Sequence, residues 1–150
     1  MNLNNYTIKS QEAIQQAQQI AATNEQQSIE CGHILSGILE VDKNVTPFLL
    51  KKLNVNTGIF EKTLSKIVES YPKVSGGNAY LSQNANSALV KAANFLKEFN
   101  DEYVSIEHVL LGILSVKDSV SQLMKDNGVT EKDLKSAIKE LRKGAKVTSA

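Results

Sequence analysis

The chain repeats itself. Ile29-Glu30-Cys31-Gly32-His33-Ile34-Leu35-Ser36-Gly37-Ile38-Leu39 lies over Val104-Ser105-Ile106-Glu107-His108-Val109-Leu110-Leu111-Gly112-Ile113-Leu114 at a constant offset of 75, and His33, Leu35, Gly37, Ile38 and Leu39 recur unchanged. Upstream, the same offset pairs Ala13 with Ala88, Ile14 with Leu89, Ala17 with Ala92 and Ile20 with Phe95 without a gap. Downstream it becomes 74, so that Leu49 meets Leu123, Val55 meets Val129, and Phe60, Leu64 and Ile67 meet Leu134, Ile138 and Leu141. Self-similarity at a fixed period means one supersecondary unit used twice, and that decides the architecture before any single motif does.

Each unit reads as four helices, because its apolar residues recur at three and four rather than at two. The first helix is expected over about Thr7 to Asn24, with Ala13, Ala17, Ile20 and Ala21 on one stripe, and its partner over about Ser82 to Phe99. The second helices, about Cys31 to Val41 and Ile106 to Val116, are apolar nearly all round, which marks them as the buried centre of each unit. Gly37 and Gly112 stand inside them at a cost of about 1 kcal/mol each against alanine. A close helix crossing over the small Ala17 and Ala92 would justify that cost. Pro47 suits the first turn of a short third helix, where its missing N–H is harmless, and Ser119 caps the counterpart. The fourth helices begin after Asn56 and Thr130, and Thr130 with Asp133 has capping-box spacing. Strand signals are missing. The cluster Tyr71-Pro72-Lys73-Val74-Ser75-Gly76-Gly77-Asn78-Ala79-Tyr80 reads as the linker between the units. The expectation is thus one all-α domain over 1–143, with repeat one at about 1–70, the linker at 71–80 and repeat two at about 81–143. The patternless tail from 144 to 150 leads onward.

With 41% of 150 residues apolar, there is material for one compact core. Seventeen Lys and Arg against 16 Asp and Glu point to no nucleic-acid partner and no anionic membrane surface. The cations Lys135, Lys139, Arg142, Lys143 and Lys146 suit the negative end of a helix dipole. Aromatic residues at 5%, with no tryptophan, argue against a base-stacking surface. No apolar run approaches the roughly 18 residues of a membrane span. A lone cysteine excludes an internal disulfide, and no secretory pattern opens the chain, so the cytoplasm is the expected address.

Candidate chemistry is sparse. His33 and His108 occupy the same repeat position, one turn into a helix start, and duplicated histidines fill duplicated structural niches, with a ring N–H bonded to a loop carbonyl. Glu30 or Glu107 beside them makes only two potential zinc ligands where three or four are needed. Cys31 and His33, two apart on a helix, face different directions, which leaves a packed thiol and no nucleophile–base pair. No catalytic, metal or cofactor residue is expected, and no Gly-x-x-x-x-Gly-Lys-[Ser/Thr] phosphate loop is present.

A duplicated four-helix unit of about 75 residues, with a His-hydrophobic-hydrophobic segment opening each second helix, resembles the Clp N-terminal repeat domain over essentially the whole chain. Within that family the chain is most similar to the ClpB-type disaggregases, through Asn5-Tyr6-Thr7-Ile8-Lys9-Ser10, Pro72-Lys73-Val74-Ser75-Gly76-Gly77, Asp101-Glu102-Tyr103-Val104-Ser105 and Leu141-Arg142-Lys143-Gly144. The resemblance implies two repeats related by a pseudo-two-fold axis. It also implies a place at the front of a longer AAA+ ATPase, a cytoplasmic homohexamer with a coiled-coil region that uses ATP and magnesium elsewhere in the protein. The isolated domain would be a monomer without cofactor. Its partners would be unfolded or aggregated protein segments, or adaptor proteins. Carried over by position, the family's substrate contacts fall on Thr7, Asp101 and Glu107, and Leu89 falls in an apolar groove between the halves. The helix dipole accounts for Glu107 by itself, and Thr7 is also an N-cap.

Three readings follow: a peptide-binding module of a disaggregase, an adaptor-docking module of a protease-linked Clp ATPase, and a stand-alone helical regulator. The first predicts weak binding of many unfolded segments, the second binding of one folded partner. Enzyme readings come last, because no nucleophile, base and oxyanion donor can be assembled from these residues.

Overall fold

The computed structural model describes residues 2–74 and 76–150, so Ser75 of the linker lies outside the described residues. Repeat one supplies α1 (Ile8–Thr23), β1 (Ser28–Ile29), α2 (Cys31–Val41), α3 (Val45–Lys52) and α4 (Thr57–Ser70). Repeat two supplies β2 (Tyr80–Leu81), α5 (Gln83–Asn94), the single turn α6 (Leu96–Phe99), α7 (Ile106–Ser115), α8 (Ser119–Asp126) and α9 (Glu131–Arg142).

The helix starts follow from short polar side chains that take up orphan N–H groups. Thr7 and Ser82 accept from the backbone of Ser10 and Ala85 at 3.2 and 3.0 Å, and Asn56 and Thr130 accept from Ile59 and Asp133 at 3.1 Å each. The third helix of repeat two departs from expectation. Its cap is Asp118, whose Oδ1 accepts from Val120 and Ser121 at 3.1 and 2.8 Å, while Ser119 is already helical. A carboxylate serves two donors and also faces the positive end of the dipole, so it displaces a neighbouring hydroxyl. Asp42 does the same for α3, accepting from Asn44, Val45 and Thr46 at 3.1, 3.0 and 2.7 Å. The first helix of repeat two is also not continuous to Phe99: its ladder breaks at Phe95, whose ring Lys135 covers from 5.0 Å.

α2 and α7 are the buried centres, α7 without an exposed residue from Ile106 to Leu114. α1 packs on α2 and α5 on α7 at backbone distance. A Cβ on Gly37 would run into the carbonyl oxygen of Ala13 and stand 3.1 Å from the Ala17 nitrogen; one on Gly112 would run into the carbonyl of Ala88 and stand 3.0 Å from the Ala92 Cβ. Only glycine permits this approach, as the small alanines opposite suggested.

Strands do occur, against expectation, and they join the repeats. β1 and β2 pair in parallel, with Ser28 opposite Tyr80 and Ile29 opposite Leu81, and a separate parallel bridge joins Tyr6 to Val104. Adding 75 carries Tyr6 to Leu81, and subtracting 75 carries Val104 to Ile29, so the two pairings are one pairing with the repeats exchanged. The hydrogen bonds agree: Thr7 N–H donates to Val104 O and Ser82 N–H to Ile29 O, each at 3.0 Å. The helices exchange in the same way, since α3 packs on α9 and α4 on α8. Each repeat's third helix thus rests on the other's fourth, which is what a two-fold relation produces. Two residues per strand are too few for any period-2 pattern to show in sequence.

The core is continuous across both repeats, from Ile14, Ile34 and Phe60 to Leu111, Leu134 and Ile138. No described helix is long and apolar enough to cross a membrane.

Candidate functional site

The duplicated histidines are wholly buried, each at the third position of its helix. Nδ1 of His33 accepts the Glu30 N–H at 2.9 Å, and Nδ1 of His108 accepts the Ser105 N–H at 2.8 Å. A ring nitrogen that accepts carries no proton, so the proton sits on Nε2. There it meets side-chain oxygens and not loop carbonyls: Gln26 Oε1 at 2.6 Å in repeat one, Asp101 Oδ2 at 2.7 Å in repeat two. Gln26 and Asp101 follow residues held at positive φ, Glu25 at 57° and Asn100 at 56°, which turn both side chains inward toward the ring. Burial lowers the affinity of both rings for a second proton, that of His33 to about 4.

The exchange of a neutral amide for a carboxylate changes the chemistry of repeat two. Asp101 and Glu107 are both buried. Arg142, in the last turn of α9, donates from Nη1 to Asp101 Oδ2 at 2.5 Å and from Nε to Glu107 Oε2 at 3.1 Å, while its guanidinium lies 5.3 Å over the Phe99 ring. Burial pushes the Asp101 carboxyl up, but the Val147 N–H and Arg142 outweigh it and hold the group below the ordinary carboxylate range. Glu107 therefore has a partner beyond the helix dipole, and Arg142 a role beyond the basic helix end. Sequence reasoning missed that role. Arg142 stands 41 residues from Asp101, and no local pattern joins them.

The tail is docked on this cluster. Lys143 and Gly144 take positive φ, 49° and 91°, and turn the chain back from α9. Val147 N–H then donates to Asp101 Oδ1 at 2.9 Å, Glu102 N–H donates to Val147 O at 2.7 Å, and Ile8 N–H donates to Ala150 O at 2.9 Å. Thr7, half-buried at the start of α1, is joined through its N–H to Val104, so the α1 start and the 101–107 segment form one face. Ile8, 61% exposed, is its apolar element.

Leu89 is not on that face. It is 5% exposed and belongs to the core, in the place that Ile14 fills in repeat one. Its pairing with Ile14 in the repeat was the signal for burial. The surface residue beside it is Val90, 54% exposed. Farther along, a hollow of about 650 Å³ lies between Phe95, Leu114 and Thr130, flanked by Lys91 and Lys125. Cys31 is buried, and burial raises its thiol far above the ordinary range, with Asp118 and Glu30 adding to the effect. Among the described residues no group of three or more His, Cys, Asp or Glu is placed to hold a metal ion.

The family model of the Clp repeat (R) N-terminal domain matches residues 5–127. The chain belongs to that family. This Clp N-domain is 52% identical over 149 residues to the chaperone protein ClpB of Bacteroides thetaiotaomicron and 46% identical to that of Porphyromonas gingivalis, in both cases over 99% of the chain. It spans 17% of the length of those curated relatives. The Hsp104 N-terminal domain from Candida albicans superposes with a TM-score of 0.85 over 97% of both chains at 22% identity. The N-terminal domain of the ClpV1 ATPase from E. coli does so at 0.79, over 94% of this chain and 88% of that one, at 16% identity. At such identities the likeness is one of fold alone, a mostly helical one.

Proposed function

We propose that this domain is the N-terminal client-binding module of an ATP-dependent protein-disaggregating chaperone, capturing exposed apolar segments of unfolded or aggregated proteins and passing them to an ATPase ring. The observation that carries this reading is the 52% identity with ClpB of Bacteroides thetaiotaomicron across nearly the whole domain. The 150 residues contain no phosphate loop, so ATP and magnesium would act in a region outside them, in a cytoplasmic homohexamer joined through residues 144–150.

The face built from Thr7, Ile8, Asp101 and Glu107 suits transient capture. It holds an exposed apolar side chain, the backbone donors of Ile8 and Glu102 that the tail engages, and buried carboxylates whose positions are set by Arg142 and His108. An unfolded chain supplies apolar groups and unpaired backbone together, whereas a folded surface rarely does. Weak contacts of about 1 kcal/mol each would let a client move on instead of holding it at the entrance.

The test is a titration of the isotopically labelled domain with a permanently unfolded protein, followed by amide NMR. Shifts clustered at Thr7, Ile8, Asp101 and Glu107 support client capture at this face. A spectrum unchanged at millimolar client sinks it and leaves docking of a folded adaptor, as in a protease-linked Clp ATPase.

A further inference from the structure

We propose that residues 145–150 are a built-in competitor for the client face: they occupy a backbone-reading groove between the α6–α7 loop and the start of α1, and clients bind as this segment leaves. The proposal rests on the client-binding reading above.

Three groups line the groove, and the tail engages each through its main chain. Asp101 Oδ1 accepts from Val147 N–H, Glu102 N–H donates to Val147 O, and Ile8 N–H donates to Ala150 O. No side chain of the tail takes part in these bonds. Val147 is half-buried and its neighbours from Ala145 to Ala150 are exposed. A groove that reads one residue's N–H and C=O around a small apolar side chain recognises extended backbone almost regardless of sequence. Any unfolded segment offers the same pattern. Asp101 Oδ2 is already taken by His108 and Arg142, which leaves Oδ1 as the carboxylate oxygen turned to the tail.

Repeat one shows that the groove belongs to the repeat and not to a stray chain end. There the segment after the fourth helix also returns to the loop between the first two helices: Val74 N–H donates to Glu25 O at 3.0 Å, Lys73 Nζ to Asn24 O at 2.8 Å, and Gln26, the counterpart of Asp101, donates to Tyr71 O at 3.3 Å. That segment is the linker, which runs between α4 and β2. The tail continues from α9. Its few hydrogen bonds are set against the entropy of ordering six residues, so it can exchange. While docked, it reduces the fraction of the domain open to clients and weakens apparent affinity in proportion.

The experiment uses the 150-residue domain with Val147→Pro, which removes the N–H given to Asp101, and with Val147→Asp as a second release variant that keeps the N–H but sets a carboxylate beside Asp101. The probe is reduced, carboxymethylated α-lactalbumin. We expect the Glu102 amide to lose hydrogen-exchange protection in both variants and the probe to bind about fivefold tighter, as loss of one net hydrogen bond from the competitor implies. A synthetic peptide of residues 144–150 should restore Glu102 protection in the Val147→Pro domain and compete with the probe. Equal affinity in parent and variants, with Glu102 deprotected, overturns the competition while leaving client binding intact. An unprotected Glu102 in the parent overturns the docking. No probe binding by any form brings down the client-binding reading itself, and this inference with it.

Discussion

His108 donates its Nε2 proton to Asp101 Oδ2 at 2.7 Å where, 75 residues earlier, His33 meets Gln26 Oε1 at 2.6 Å. The niche is the same; the partner is ionised in one repeat and neutral in the other. Ionisation brings in Arg142, which also serves Glu107. Removing the shared cation leaves two buried carboxylates without it, so Arg142→Met should destabilise the domain by about 3 kcal/mol in urea unfolding. Adding Asp101→Asn and Glu107→Gln should recover at least half of the loss, because neutral groups no longer need the cation. No recovery would mean that Arg142 acts through packing on Phe99.

Acid should weaken the fold through the same rings. Burial lowers His33 from 6.5 to about 4, so the unfolded chain takes up its proton first as pH falls. The stability contributed by the neutral ring is complete above about pH 6.5 and is lost between there and about pH 4, up to about 3 kcal/mol from this residue. His108, lowered in the same direction by its burial, adds to the slope. Asp42 and Asp101, held below the ordinary carboxylate range, lose their contributions at still lower pH. Urea unfolding at pH 7, 6 and 5 measures the slope, and His33→Gln should flatten it. An unchanged slope would assign the acid sensitivity to other groups.

Gly37→Ala and Gly112→Ala should each cost about 2 kcal/mol even though alanine is the better helix former by about 1 kcal/mol. The added Cβ would meet the Ala13 or Ala88 carbonyl and push the helices of a pair apart. Gly58, exposed in the first turn of α4 with only Asn56 Oδ1 at 3.6 Å, is the control, and alanine there should be neutral or stabilising. Thermal unfolding of the three variants separates backbone contact from propensity.

Thr7 and Ser82 are the same cap in the two repeats, and only Thr7 lies on the proposed client face. Thr7→Ala and Ser82→Ala should therefore cost similar stability, about 1 kcal/mol each. Only Thr7→Ala should weaken binding of an unfolded protein, by a few fold. Equal binding by both variants would reduce Thr7 to a cap.

The central helices, their caps and their buried faces were legible because the signals lie within one or two turns. Cys31 to Val41 was placed to the residue, Ile106 to Ser115 to within one, and the apolar pairs from Ala13 with Ala88 to Ile67 with Leu141 all pack in or against the core. Asp118 displaced Ser119 as a cap because two adjacent good candidates cannot be ranked without the bonds they make. Thr7, Asp101 and Glu107, assigned to the proposed client face, were reached by family likeness. Their partners Arg142 and Val147 were not, since the charges along 135–146 have an adequate local explanation in the helix dipole.

By itself, the sequence determined what depends on neighbours along the chain: the 75-residue repeat, the 3.6-residue periodicity, the caps, and the need for glycine where two helices touch. Tertiary structure decided what depends on pairs far apart. It crossed each repeat's third helix onto the other's fourth, joined Tyr6 to Val104, set Arg142 between two carboxylates and folded the tail onto Asp101. The physical reason is that backbone hydrogen bonding within a helix is satisfied three or four residues away and so leaves a periodic trace in the sequence, whereas a buried ion pair or a two-residue parallel bridge leaves none until the core has brought its members together.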